Sequence, residues 1–230
     1  MTTRRGTEGA LDESAPRPDV DAQTWAQCQI RDAIIDGELA PGSRLVEAEL
    51  VQTFGVSRNR VRLALDTLIE EGLVERIPNR GARVRVVSAE EAIEIMECRM
   101  VLDGLLGRKA ATHASDEHLE ALAANLVDMA AQLEAYDLMG YSRLIQKQHA
   151  IVHEAAAHAT AGRLIERLQA QIVRHQFQTS LIPGRASESL RELQDVVAAI
   201  TARDPDAAER AARDHVKGAI EAIRRSSQLP

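Results

Sequence analysis

Ser57-Arg58-Asn59-Arg60-Val61-Arg62-Leu63-Ala64-Leu65 decides how the rest of the chain is read. Val61, Leu65, Leu68 and Ile69 recur at helical spacing and need a core to bury them. Arg58 and Arg62, four residues apart, share a face away from that stripe, and Arg60 points elsewhere around the helix. Gly55 is placed to end a preceding helix and Ser57 to N-cap the next, so the local pattern is helix, tight turn, helix. Such a helix is either a recognition helix, whose first residues reach base edges and phosphates in the DNA major groove, or an ordinary amphipathic surface helix with a basic patch.

The flanks favour the first alternative. Ala26, Ile30, Ala33 and Ile34 lie on one face of a helix that starts near Thr24 and ends at Gly37, and the turn pair Pro41-Gly42 follows. Leu50, Val51 and Phe54 mark a second helix over 46–54, and the opening stretch supplies a third, ending near Gly72. The period then changes. Leu73-Val-Glu-Arg-Ile77 is rich in strand formers, Pro78-Asn79-Arg80-Gly81 is turn chemistry, and Ala82, Val84 and Val86 alternate with Arg83 and Arg85. Three helices followed by a hairpin with one oily and one basic face make a winged helix-turn-helix over residues 21–87. Its wing tip, Asn79-Arg80-Gly81, is placed to enter the minor groove or lie on phosphates. Residues 1–20, poor in apolar side chains, are expected to be a disordered lead-in.

Charge sharpens this. The 230 residues carry a net charge of −7, which excludes a protein that coats nucleic acid through bulk cationic charge but not a local reader. Arg58, Arg60, Arg62, Arg76, Arg80, Arg83 and Arg85 cluster beside Glu75, whereas residues 88–230 hold 21 Asp and Glu against 16 Lys and Arg. Hydrophobic residues at 45% with aromatics at 2% favour a mainly helical chain of two modest domains. No apolar run approaches the ~18 residues of a membrane span, and the start lacks the apolar core of a secretory signal, so a cytoplasmic location is expected. Cys28 and Cys98 have no paired or metal-binding spacing and are expected to be small buried apolar residues.

The combination resembles the GntR family of bacterial transcription regulators. The likeness is carried by Gly37-Glu-Leu-Ala-Pro-Gly-Ser-Arg-Leu45, Gly55-Val-Ser-Arg58, Val61-Arg62, Ala64-Leu65, Glu71-Gly-Leu-Val74 and Arg80-Gly-Ala-Arg-Val84. The family core reads Val-Ser-Arg-x-Pro-Val-Arg-Glu-Ala-Leu; here Arg60 replaces Pro and Leu63 replaces Glu. The resemblance makes Ser57, Arg58, Asn59 and Arg62 the readers of double-stranded operator DNA, with Arg60 adding charge and Asn79, Arg80 and Gly81 on the wing. The residue chemistry agrees: Arg grips guanine bidentately, Asn suits adenine, and Ser57 at a helix N-terminus suits phosphate.

From Ser88 onward the pattern is helical to the end, with helices expected to about 112 and at about 116–135, 138–160, 163–182, 187–203 and 206–228. The punctuation is Ser115, Gly140, Gly162, Pro183-Gly184 and Asp204-Pro205. About six helices with short connections predict an antiparallel bundle over 88–230. A GntR reader joined to such a bundle resembles the FadR-type subfamily, whose C-terminal ligand-binding domain is called FCD. The supporting residues are Arg99, Leu102, His149, His153, Gly162-Arg-Leu164, Ser189-Leu-Arg-Glu192, Asp204 and His215.

The resemblance implies a homodimer, a small organic acid as effector and, in some members, a divalent metal held by an Asp and a His four apart plus two further His. In this chain His149 stands where the Asp is expected, His153 and His215 match, and Leu193 replaces one His. Three imidazoles would still hold Zn²⁺ or a similar ion; otherwise they are polar pocket histidines. Arg99, amid Ile95, Met96, Val101 and Leu102, needs a carboxylate, from the ligand or from a neighbouring helix. His113, His118, His158 and His175 do not share the His149 face and are expected at the surface or at helix ends. The leading expectation is an effector-released repressor on a palindromic site, not an enzyme. The alternative is a helical metalloenzyme activating water on His149, His153 and His215; it requires a general base, and Glu154 is turned off their face.

Overall fold

The computed structural model describes residues 22–35, 37–78 and 80–227; the expected lead-in over 1–20 and the wing residue Asn79 lie outside them. The chain divides into two compact units, Met1–Val86 and Val87–Pro230.

In the first unit α1 (Ala22–Ile35), α2 (Glu47–Phe54) and α3 (Arg58–Glu70) are followed by β2 (Val74–Ile77) and β3 (Gly81–Val84), with a two-residue strand β1 (Arg44–Leu45) between α1 and α2. β3 is central, antiparallel to both neighbours, so that Arg83 stands opposite Arg44 on one side and Glu75 on the other. β1 is too short to show a period and was not expected from the sequence. Leu45 nevertheless joins Val74, Ala82 and Val84 in the core. Ala26 and Ile30 of α1 pack with Val61, Ala64 and Leu68 of α3, all fully buried. Trp25 meets Phe54 edge to face at 6.3 Å. Arg31 clamps Glu71 at 2.6 Å and fixes the end of α3 against α1. Gly55 ends α2 at φ 63° and Gly81 opens β3 at φ 88°, left-handed positions where a side chain is strained.

The second unit consists of α4 (Ala89–His113), α5 (Asp116–Glu134), α6 (Leu138–Ala155), α7 (Ala159–Ser180), α8 (Arg185–Thr201) and α9 (Pro205–Ser227). Ser88 caps α4 through the Glu91 N–H, and Asp204 caps α9 by accepting from the N–H groups of Asp206 and Ala207. Ser115 and His118 cap α5 reciprocally. Leu106, Leu122, Ile165 and Ile200 form the middle of the bundle. Two expected breaks differ. Gly140 and Gly162 lie in the first turns of α6 and α7, while the chain reverses at Tyr136 and Ala157, whose φ values are 57° and 51°. At each reversal a side chain caps the next helix: Asp137 accepts from the Gly140 N–H, and His158 from the Ala161 N–H. Cys28 is half-buried and Cys98 exposed, which corrects the expectation that both are core residues: Cys98 falls off the buried stripe of α4 that holds Ile95, Met96 and Arg99.

Candidate nucleic-acid interface and buried arginine cavity

Val61, Ala64, Leu65 and Leu68 bury one face of α3, and this forces Ser57, Arg58, Asn59, Arg60 and Arg62 to the surface. Ser57 occupies the N-cap position, but its side chain makes no capping hydrogen bond, contrary to the expected cap. The hydroxyl therefore stands at the helix N-terminus beside backbone N–H groups without being used by the helix. Arg58 and Arg62 are 72% and 58% exposed and converge on Glu47, in the first turn of α2: Arg58 Nε donates to Glu47 Oε2 at 2.8 Å, and Arg62 Nε lies 3.6 Å from Oε1. The hydrogen bond from Arg58 is the main cause that holds the Glu47 carboxyl below its usual range. A cleft between α3 and the hairpin is lined by Arg44, Arg58, Arg62, Arg76 and Arg80, with Glu47 and Asp66 among them. Arg76 pairs with Asp66 and so ties the hairpin to α3. Arg80 and Gly81 are exposed at the wing tip. Of the expected readers, all but Asn79 lie within the described residues, and each of those is exposed.

The second unit contains a small cavity of about 50 Å³ between α4, α6, α7, α8 and α9. Arg99, His149 and His215 line it, as does Arg185 from the first turn of α8. Arg99 is 1% and Arg185 4% exposed. Burying a guanidinium demands partners. Arg185 grips Glu192 with two parallel bonds, Nη1 to Oε1 at 2.9 Å and Nη2 to Oε2 at 2.8 Å. Gly218 makes room for that pair, since a side chain there would run into Glu192 and Arg185. Arg99 reaches Asp103, one turn along its own helix, with Nη2 3.2 Å from Oδ2, and Met96 Sδ at 3.8 Å. Its internal partner is thus on α4 and not on a neighbouring helix, and its Nε has no partner among the described residues.

The histidines extend this network. His215 Nδ1 lies 2.9 Å from Glu192 Oε2, His215 Nε2 lies 3.3 Å from His149 Nε2, and His153 Nε2 lies 3.3 Å from Asp103 Oδ1. Burial, then His215 and Arg99, hold the His149 imidazole well below the usual histidine range. Burial raises the Asp103 carboxyl, but Arg99 and then His153 outweigh it and hold the group far below the usual carboxylate range. Glu192 is likewise raised by burial and brought down overall by His215 and Arg185.

Arg99, His149, His153 and His215 therefore come together as expected, but not around an ion. The His149 and His153 rings stack in parallel at 6.3 Å, and His153 is committed to Asp103. Leu193, at the missing ligand position, is buried in an apolar cluster. Among the described residues no group of three or more His, Cys, Asp or Glu is placed to hold a metal, so the donor set does not fit Zn²⁺. Asp103, Arg185 and Glu192 were missed as site residues. For Asp103 the signal was present in its helical spacing from Arg99, one turn away on the same helix. His113, His118 and His158 serve helix ends as expected; His175 instead sits within α7 and donates to the Val87 carbonyl at 2.9 Å.

Residues 23–84 match the family model described as bacterial regulatory proteins, gntR family, and residues 94–218 match the FCD domain. The chain is 29% identical over 199 residues, 86% of its length and 87% of the relative's, to the HTH-type transcriptional repressor RspR of Escherichia coli strain K12. It is 29% identical over 211 residues, 89% and 92% of the two chains, to the probable D-xylose utilization operon transcriptional repressor of Paenarthrobacter nicotinovorans. Among solved structures it superposes on E. coli McbR/YncC with a TM-score of 0.79, covering 91% of this chain and all of that one, at 18% identity, a likeness of fold. No described helix is long and apolar enough to cross a membrane.

Proposed function

The chain belongs to the GntR family of transcription regulators and carries an FCD domain of the FadR type, and from this we propose an effector-released repressor that binds a palindromic operator as a homodimer. The family and the relatives are regulators, not enzymes, which removes the metalloenzyme alternative. Residues 21–87 would read the DNA and residues 88–230 bind the effector and dimerise. The observation that carries the reading is α3, whose buried face leaves Arg58 and Arg62 outward beside the wing's Arg80. Guanidinium groups on a helix that fits the major groove can pair with guanine edges, and Asn59 with adenine. Two relatives named as repressors support the sign of regulation.

The effector on this reading is a small carboxylate. Arg99 is buried in a cavity with Nε unmet, and Arg185 adds a second guanidinium to the wall. Among the described residues the donors present make no coordination set for a divalent ion, and the reading calls on none. Binding need only favour a dimer geometry with the wrong half-site spacing; a coupling of about 1–3 kcal/mol changes operator affinity roughly 5–150-fold.

The test is fluorescence anisotropy with duplexes tiling the region upstream of the chain's own gene. One palindromic duplex should bind with a strong dependence on salt, and Arg58→Ala and Arg62→Ala should each weaken it by about 1–3 kcal/mol. Equal binding to every duplex would remove the proposed function.

A further inference from the structure

The arginine-rich start of α3 ends in an exposed leucine. Val61, Ala64, Leu65 and Leu68 are buried, whereas Leu63, which lies among them in sequence, is 40% exposed. One exposed leucine is ordinary on a protein surface, but the position of this one is informative. An α-helix turns about 100° per residue, so Asn59 and Leu63 lie roughly 40° apart on the side away from the buried residues. The same rotation puts Arg60 on one flank of that pair and Arg62 on the other, and both are exposed. Asp66 and Glu70, one and two turns further on, bring negative charge that a phosphate avoids. The part of α3 fitted to enter a DNA groove therefore closes with Leu63.

The floor of the major groove offers a leucine one partner. Guanine N7 and O6, cytosine N4, adenine N7 and N6 and thymine O4 all need hydrogen bonds, and an alkyl group set over them removes their water and returns nothing. The thymine C5 methyl is apolar and gains by leaving water. Resting on the DNA-reading face proposed above, we propose that Leu63 packs on the C5 methyl of a thymine in each half-site. This adds a thymine to what the operator must contain, near the adenine paired by Asn59. Four residues of helix advance about 6 Å, or roughly two base-pair steps of about 3.4 Å, so the two bases lie no further apart than that. Arg60 and Arg62 attract the phosphates on either flank and seat the Asn59 and Leu63 pair on the floor between them.

Deoxyuridine lacks that methyl and keeps every hydrogen-bonding group of thymine. The probe is therefore the operator duplex with symmetry-related thymines exchanged for deoxyuridine, one pair of positions at a time. Anisotropy titrations with the full chain should find a position where the exchange weakens binding about fourfold for each methyl removed, the worth of one buried methyl group. Leu63→Ala and Leu63→Gln should each bind the thymine and uracil forms of that position equally. Arg58→Ala should weaken both forms and keep their ratio, which a merely structural role for Leu63 would also leave unchanged. If no position distinguishes thymine from uracil, or if every position that does so still does in both Leu63 variants, the thymine contact is overturned and the operator reading stands. If no duplex is bound in preference to the others, both are overturned.

Discussion

Tyr141 is wholly buried on α6, and its hydroxyl donates to the Ala186 carbonyl at 2.8 Å, across to the first turn of α8. Burial pushes its phenol up to about 12. The unfolded chain loses that proton first, near the ordinary value of about 10, so the bond stabilises the unit below that pH and its contribution fades as pH rises from about 10 to about 12. An alkaline titration followed by tyrosinate absorbance should show a late phase that Tyr141→Phe removes. Legibility at this scale was uneven. Arg99 could be found because a cation amid apolar residues violates the helical pattern. Arg185 could not, since nothing in the sequence marks a first-turn arginine as buried, and only the packing of α9 through Gly218 closes over it.

α4 and α9 approach so closely that a Cβ on Gly107 would lie 2.8 Å from the Ala208 carbonyl oxygen and 3.1 Å from Ala212 Cβ. Backbone cannot yield as a flexible side chain does, so Gly107→Ala should destabilise the chain by about 1–3 kcal/mol. Gly162, in the first turn of α7, would meet nothing within 4 Å, and Gly162→Ala should stabilise by about 0.5–1 kcal/mol through helix propensity. Opposite shifts in the melting temperatures of these two variants are the expected outcome. The contrast also explains which helix ends were legible. Gly55 and Gly184 mark true left-handed positions, and reading them by glycine succeeds. Tyr136 and Ala157 adopt the same conformation without glycine, so those two reversals carry no compositional mark, whereas the one at Arg203 is marked by the Asp204-Pro205 that follows it. β1, at two residues, is visible only as a partner of β3.

At the scale of the molecule, acid and base are segregated along the chain, and this made the first unit readable as a DNA reader despite a net charge of −7. The sequence could not show how the basic side chains are employed before any partner arrives. Arg58, Arg62, Arg76 and Arg83 all face carboxylates within their own unit. Their placement depends on α2 and the hairpin folding back on α3, and no local pattern contains it.

Glu47 therefore has a consequence for search. Any phosphate that takes Arg58 must first displace a carboxylate already bound at 2.8 Å, and random sequence offers phosphates in exchange but not base edges in the matching arrangement. A matching site adds base edges. The chain should thus dwell briefly on random duplex and scan it quickly, with Glu47 acting as a clutch that slips until the right sequence engages. Glu47→Gln should lengthen residence on random DNA more than on the operator, and stopped-flow dissociation from the two duplexes would measure the difference.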